Sequence, residues 1–322
     1  MSDRLKSISA TAPPTIANLA VGFDILGMAI QGEGDLVTAS LSNQAELRIT
    51  KITGDGGRLP LDPTKNTVTA GILIYLDDLM KKGLISKDIG IDIEIEKRMA
   101  LGTGMGSSAS SAAAGIMAVN ALLGSPLNKK ELSPYALQSE AVASGGIHGD
   151  NVIPALWGGT VLMRSEEPFH AVNLPSFSSL SILVIHPHVE VMTSESRSRL
   201  KTEVPLKTYI KQSADLALFV HASHSGDVAL LRGCLKDHVI GPQREKDIPW
   251  MKEVSEICMS NNAINYNISG SGPSTFAFFE RKEEAEKAEH NVRSFFEEHQ
   301  MSVDLLISKV DEQGARIIDS RP

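Results

Sequence analysis

The segment Leu101-Gly-Thr-Gly-Met-Gly-Ser-Ser-Ala-Ser-Ser111 sets glycines at every second position ahead of a pair of serines. Such glycines let a backbone approach an anion closely and adopt φ values that a side chain forbids. A strand in strict alternation, Ile89-Gly-Ile-Asp-Ile-Glu-Ile-Glu96, precedes the segment. A small-residue helix, Ala112-Ala-Ala-Gly-Ile-Met-Ala-Val-Asn120, follows it. Ser107 or Ser108 is expected to cap that helix, whose free first-turn amides and dipole make an anion site. The simplest ligand for strand, glycine loop and helix N-terminus in that order is a phosphate chain.

Two familiar phosphate loops do not fit. A Walker A loop needs a lysine after its last glycine, and none lies between Arg98 and Lys129. A dinucleotide fingerprint needs its third glycine one residue later. Without a loop lysine, phosphate charge must be neutralised by amides, Mg²⁺ and remote side chains. Two carboxylates stand out by their neighbours. Glu140 is set among alanine, valine and serine, and Asp24 among Phe23, Ile25 and Leu26. A carboxylate drawn into apolar surroundings is expensive unless paired.

The segment Gly102-Thr-Gly104-Met-Gly-Ser-Ser-Ala109 resembles the central motif of the GHMP kinases, the family of galactokinase, homoserine kinase and mevalonate kinase. The segment Ala12-Pro-Pro-Thr-Ile-Ala-Asn-Leu-Ala-Val-Gly-Phe-Asp-Ile-Leu-Gly27 is similar to the homoserine kinase form of the first motif. Asn267-Ile-Ser-Gly-Ser-Gly-Pro-Ser-Thr-Phe276 resembles the third, so the likeness spans most of the chain. One departure is Ala100, at a position usually held by proline, which would stiffen the start of the loop.

The resemblance implies ATP and Mg²⁺ as cofactors and L-homoserine as substrate, phosphorylated on its side-chain hydroxyl in a route toward threonine. It assigns nucleotide binding to Ala100, Leu101, Gly102, Thr103, Gly104, Met105, Gly106, Ser107, Ser108, Ala109 and Ser110. Metal binding maps to Ser108 (or Ser107) with Glu140. For the reacting hydroxyl, His148-Gly-Asp-Asn151 resembles a family segment. Asp150 takes the proton, or Asn151 orients the hydroxyl while the γ-phosphate accepts it; a loose transition state demands little of a base, which favours the second account.

An amino-acid substrate needs a fork for its carboxylate and an acid for its ammonium. Arg197, in Thr193-Ser-Glu-Ser-Arg197, and Arg244, in Gly241-Pro-Gln-Arg244, match family segments that supply the fork. Asp24, with Asn18 in the same motif, matches the acid. Thr193, His148, Asn151 and Gly270 complete the expected substrate contacts. The bland alternatives are that Glu140 is a helix-surface acid, His148 a structural histidine and the two arginines solvated charges. Mevalonate or a sugar are rival substrates, and a nucleotide-binding sensor without catalysis is a rival of another class. The first two lack an ammonium for Asp24, and a sensor has no need of a metal pair.

The chain has 322 residues, 42% hydrophobic and 22% charged, an ordinary soluble composition. A net charge of −8 argues against nucleic acid or an anionic membrane as partner. Cys234 and Cys258 have neither zinc nor redox spacing. With no apolar leader and no long apolar run, the protein is expected to be cytosolic. A homodimer is left open.

The elements that must position these residues read as an α+β protein. Strands are expected at Ile8–Pro13, Gly34–Ser40 and Glu46–Thr53, and helices at Thr67–Lys82 and Lys129–Ser144. A polar loop covers Ile147–Asn151, and the polar run Arg164–Pro168 is the expected domain boundary, dividing 1–166 from 167–322. In the second half come a strand at Leu180–His186, a helical zone at Lys207–Cys234 and a helix near Trp250–Ser260. Strand Thr275–Phe279, helix Glu283–His299 and strand Val303–Lys309 then make a β-α-β unit. The resemblance sharpens this to a domain like ribosomal protein S5 domain 2 followed by a ferredoxin-like domain.

Overall fold

The computed structural model describes residues 7–144, 148–189 and 197–321. The alternation noted at 89–96 becomes β6 in a sheet that also holds β1 (Ser7–Thr11), β4 (Leu36–Ser42), β5 (Leu47–Thr53) and β13 (Arg316–Arg321). Its order is β13-β1-β4-β6-β5. In β6 (Gly90–Glu96) the isoleucines at 91, 93 and 95 point inward and meet the helices α1 (Thr67–Lys81) and α2 (Ser107–Leu122). Ala109, Ala112, Ala113, Ala114 and Ala118 make α2 thin, so the strands approach it closely. Helix α3 (Lys129–Ser144) packs on α1 and α2, and α4 (Gly149–Trp157) on α2.

A second sheet, β2-β3-β7-β8, is built from Thr15–Ala17, Leu26–Ala29, Thr160–Glu166 and Phe169–Leu174. The expected boundary at 164–168 is the end of β7 and the two-residue turn into β8, and the two strands pair antiparallel with one register shift between Met163 and Ser165. Strands on both sides of residue 166 therefore belong to one sheet. The polar run with proline that suggested a break is a hairpin turn.

The third sheet has the order β10-β11-β9-β12, from Asn267–Ile268, Thr275–Phe279, Ser181–Pro187 and Val303–Ser308. Helix α9 (Lys282–Glu298) crosses from β11 to β12 with β9 between them, so the β-α-β unit is split by a strand from earlier in the chain. Between β9 and β10 come α5 (Leu206–Ser225), α6 (Val228–Cys234), the short α7 (Gly241–Arg244) and α8 (Met251–Ser260). Among the described residues no helix is long and apolar enough to cross a membrane. The architecture is α+β.

Candidate active site

A cleft of about 170 Å³ opens between the glycine loop, the starts of α2 and α4, and turns from both ends of the chain. Leu101, Gly102, Thr103, Gly104, Gly106, Ser107 and Ser108 line one part. Glu140, His148, Asp150 and Asn151 line another, and Asn18, Phe23, Asp24, Arg197, Arg244, Gly270 and Ser271 complete it. Four residues expected to bind nucleotide do not line this cleft. Ala109 and Ser110 are fully buried, Ser110 donating to Ala12 O at 2.6 Å. Ala100 and Met105 line a separate cavity behind the loop. Thr193 lies outside the described residues.

The loop holds its shape through glycine and through serines from the third motif. Gly102, Gly104 and Gly106 have φ of +72°, +73° and +69°. A Cβ on Gly104 would meet Ser269 O at 2.7 Å. The carbonyls of Thr103 and Gly104 accept from Ser274 Oγ and Ser269 Oγ, and that of Met105 from Thr15 N. Held in this way, the acceptor oxygens do not turn toward an anion in the cleft. The expected serine cap is absent. Left-handed Gly106 is the N-cap of α2, and both serines fall inside the first turn. A Cβ at Gly106 would sit 2.1 Å from Thr15 Oγ1, so a side-chain cap has no room.

The two serines separate in role. Ser107 Oγ faces away from the cleft, 2.7 Å from Lys97 Nζ and 3.3 Å from Met99 O. Ser108 hydrogen-bonds Glu140, whose carboxyl is pushed up to about 7 by burial and by the charge of Asp150. Asp150 is likewise raised to about 7, by burial first and by Asp24 next, against the pull of Arg197 and Arg244. Among the described residues no three His, Cys, Asp or Glu side chains form a metal cage. Ser108 with Glu140 nonetheless offers hard-oxygen ligands of the kind Mg²⁺ prefers.

His148, Asp150 and Asn151 are not in a loop. His148 is the N-cap of α4 and the other two sit in its first turn. Thr15 Oγ1 donates to Asn151 Oδ1 at 2.7 Å, which fixes the amide so that its NH₂ remains a donor. The turn of α4 lies against Gly27 of β3, where a Cβ would fall 1.7 Å from Asp150 O.

At the substrate end the chain departs from the expected division of labour. Asp24, expected to meet an ammonium, is held by Arg197, expected to meet a carboxylate, at 2.9 and 2.6 Å. His148 Nδ1 is 3.9 Å from the same carboxylate. The guanidinium carbons of Arg197 and Arg244 each lie 5.3 Å from the Phe23 ring centre, a cation–π arrangement. Arg244 donates to Gly270 O, which also accepts from Asn18 Nδ2 at 3.2 Å. Asn18 Oδ1 accepts from Asp24 N at 3.1 Å and so shapes the turn that presents the acid. Asn18, Leu19, Ala20 and Asp24 all carry positive φ without being glycine, a conformation kept only where its surroundings enforce it.

Sequence reasoning missed Phe23 as the plate under both arginines, and Thr15, Ser269 and Ser274 as holders of the loop and of Asn151. It also missed Lys97 and Asp35, a buried ion pair behind the loop. That pair had a signal. The alternation that points Ile91, Ile93 and Ile95 inward also points residue 97 inward.

The sequence and the fold agree with one set of known proteins. The GHMP kinases N terminal domain matches residues 67–159, and the GHMP kinases C terminal domain matches residues 216–298. A homoserine kinase of Chlorobium phaeobacteroides is 38% identical over 98% of this chain and 100% of its own length. The chain belongs to the GHMP kinase family, among the homoserine kinases. A crystal structure of homoserine kinase from Cytophaga hutchinsonii superposes with a TM-score of 0.93 at 40% identity, covering 99% of each chain. The fold alone extends further. The mevalonate kinase of L. major in complex with R-mevalonate matches with a TM-score of 0.69 at 16% identity, over 96% of this chain and 98% of that one. GHMP kinases use ATP, and the glycine loop at the start of α2 lies within the matched N terminal domain.

Proposed function

We propose that the protein transfers the γ-phosphoryl group of ATP to the side-chain hydroxyl of L-homoserine, giving O-phospho-L-homoserine and ADP. The observation that carries this reading is the pairing of Asp24 with Arg197, with Arg244 beside them, in the cleft that also receives the glycine loop. An acid and two guanidiniums together match the ammonium and carboxylate of an amino acid, which neither a sugar nor mevalonate supplies in full. The glycine loop and the first turn of α2 would take the phosphates. Ser108 and Glu140 would hold Mg²⁺, which when bound neutralises phosphate charge and steadies the transferring group.

In this reading Asn151, its oxygen held by Thr15, donates to the substrate hydroxyl and orients it. Asp150, buried and poised near 7, takes the hydroxyl proton as the new oxygen–phosphorus bond forms and the bond to the β–γ bridging oxygen breaks. A carboxyl raised by burial is suited to accept a proton near neutral pH, which supports Asp150 as the acceptor beside transfer to the γ-phosphate. Measuring ADP release with homoserine, mevalonate, galactose and shikimate tests the assignment. Homoserine is expected to give the only large signal, and release above background with another alcohol alone would sink it.

A further inference from the structure

Behind the glycine loop, on the side away from the cleft, lies an ion pair that the chemistry above does not use. Lys97 follows β6 and Asp35 precedes β4. In the antiparallel register Leu36 faces Glu96 and Val37 faces Ile95, so the next step outward sets Asp35 opposite Lys97. Both side chains are almost without solvent exposure, at 0% and 1%. Strand alternation sends them to the core face, where an isolated charge would be costly and a matched pair is tolerated.

The pair reaches both ends of the loop. Asp35 Oδ1 accepts from the amides of Arg98 at 2.8 Å and Met99 at 3.0 Å, the residues that lead into it. Lys97 Nζ donates to Ser107 Oγ at 2.7 Å and to Ser107 O at 3.2 Å, in the residue that leads out of it. Ser111 closes the cluster from the next turn of α2, 2.9 Å from Lys97 Nζ. Between these ends run three left-handed glycines and, at position 100, an alanine, so the loop's own sequence supplies neither a stiffening proline nor a lysine.

We infer that Lys97 and Asp35 are positioning residues for the nucleotide phosphates: together they pin the start and the finish of the glycine loop, so that the first turn of α2 is presented preformed. The inference rests on the loop being the nucleotide site. Because the two charges cancel, the pair acts through geometry while intact. Removing the lysine alone would also leave an unbalanced carboxylate behind an anion site.

The test is the dissociation constant of ADP, by calorimetry, beside KM values for ATP and homoserine. In Lys97→Met, ADP binding and KM for ATP are expected to weaken at least ~10-fold, while KM for homoserine changes less than ~3-fold. Tyr75→Phe serves as the stability control. It removes a buried hydrogen bond to Asn120 Oδ1 in the same core, away from the loop, and should leave ADP affinity unchanged. The neutral double variant Lys97→Met with Asp35→Asn carries no unbalanced charge, is the better folder, and should still bind ADP weakly. Wild-type-like ADP affinity in either lysine variant overturns the inference. So does a parallel loss of ADP and homoserine affinity, or failure of both variants to fold, since each makes the pair merely structural. If the wild-type protein itself binds no ADP, it is the nucleotide reading of the loop that fails.

Discussion

Asp24 and Arg197 form a two-pronged ion pair across the substrate end of the cleft, with separations of 2.9 and 2.6 Å. The burial that would penalise either charge alone is offset by the other, and Phe23 backs the guanidinium. A zwitterion entering here can replace one pair with two, acid to ammonium and guanidinium to carboxylate. A ligand with a single charge leaves one protein partner unmatched.

Selectivity should therefore depend on both charges. With 4-hydroxybutyrate, which keeps the carboxylate and the alcohol but lacks the ammonium, kcat/KM is expected to fall at least ~10²-fold, the order of a buried charge left unpaired. Arg197→Ala and Arg244→Ala should raise KM for homoserine by a similar factor and leave KM for ATP within a few-fold, because the carboxylate is remote from the reacting oxygen. Steady-state kinetics with each substrate varied in turn decides this. Arginine variants that weaken ATP and spare homoserine would reverse the orientation of the substrate.

Glu140→Gln should lower kcat by ~10²-fold or more, since one electrostatic partner of a transferring group is typically worth that much. Its dependence on Mg²⁺ concentration should move to higher values while the fold persists. Turnover near wild type at saturating Mg²⁺ would return Glu140 to a purely structural place in α3.

The same carboxyl predicts how stability responds to pH. Glu140 is raised from its ordinary 4.5 to about 7, so burial favours its neutral form. The stabilisation is fully present below the ordinary value and is lost as pH rises through about 7. Thermal unfolding of the ligand-free protein should show Glu140→Gln gaining on wild type between pH 5 and pH 8. A difference in Tm that is flat across that range would mean the carboxyl is not held neutral.

Asp150→Asn distinguishes the two fates of the proton. If Asp150 is the base, kcat should fall ~10²- to 10⁴-fold with substrate affinity little changed. The rise of wild-type kcat through about pH 7 should also disappear in the variant. A loss under ~10-fold, shared with KM, would hand the proton to the phosphate instead.

Gly27→Ala probes how the helix that carries Asp150 is seated. Its Cβ would fall 1.7 Å from Asp150 O, so α4 must shift or the strand must part. Activity should drop by ~10²-fold or more, because misplacement of reacting groups by about an ångström costs that much. Activity within ~3-fold of wild type would show that α4 tolerates the displacement.

Much of this site was legible in the chain because its parts are local. Glycine spacing, the strand before it and the small-residue helix after it are written in consecutive residues, and β6 and α9 follow their periods closely. What escaped depends on partners distant in sequence. Asn18 to Gly270, Thr15 to Asn151 and Asp24 to Arg197 are contacts that no local period announces. The short strands β2 and β3 hold few residues on which a period could register. The polar run at 164–168 carried the composition of a linker, yet a hairpin turn on the surface has the same composition. The segment His148–Asn151 read as a loop because its glycine and polar residues suit a helix's first turn as well as a coil.

The last strand has a consequence for how the molecule is assembled. β13 lies antiparallel beside β1 at the rim of the sheet that supports the glycine loop, residue 321 facing residue 7. During synthesis β1 emerges before, and its neighbour on that side after, every other strand and helix described above. Until then one rim of the sheet is open, with backbone groups that can pair with a foreign strand. The sheet beneath the glycine loop is thus completed only when β13 joins it. Unfolding should proceed as one cooperative event rather than half by half, and a fragment ending after β8 should be prone to aggregate.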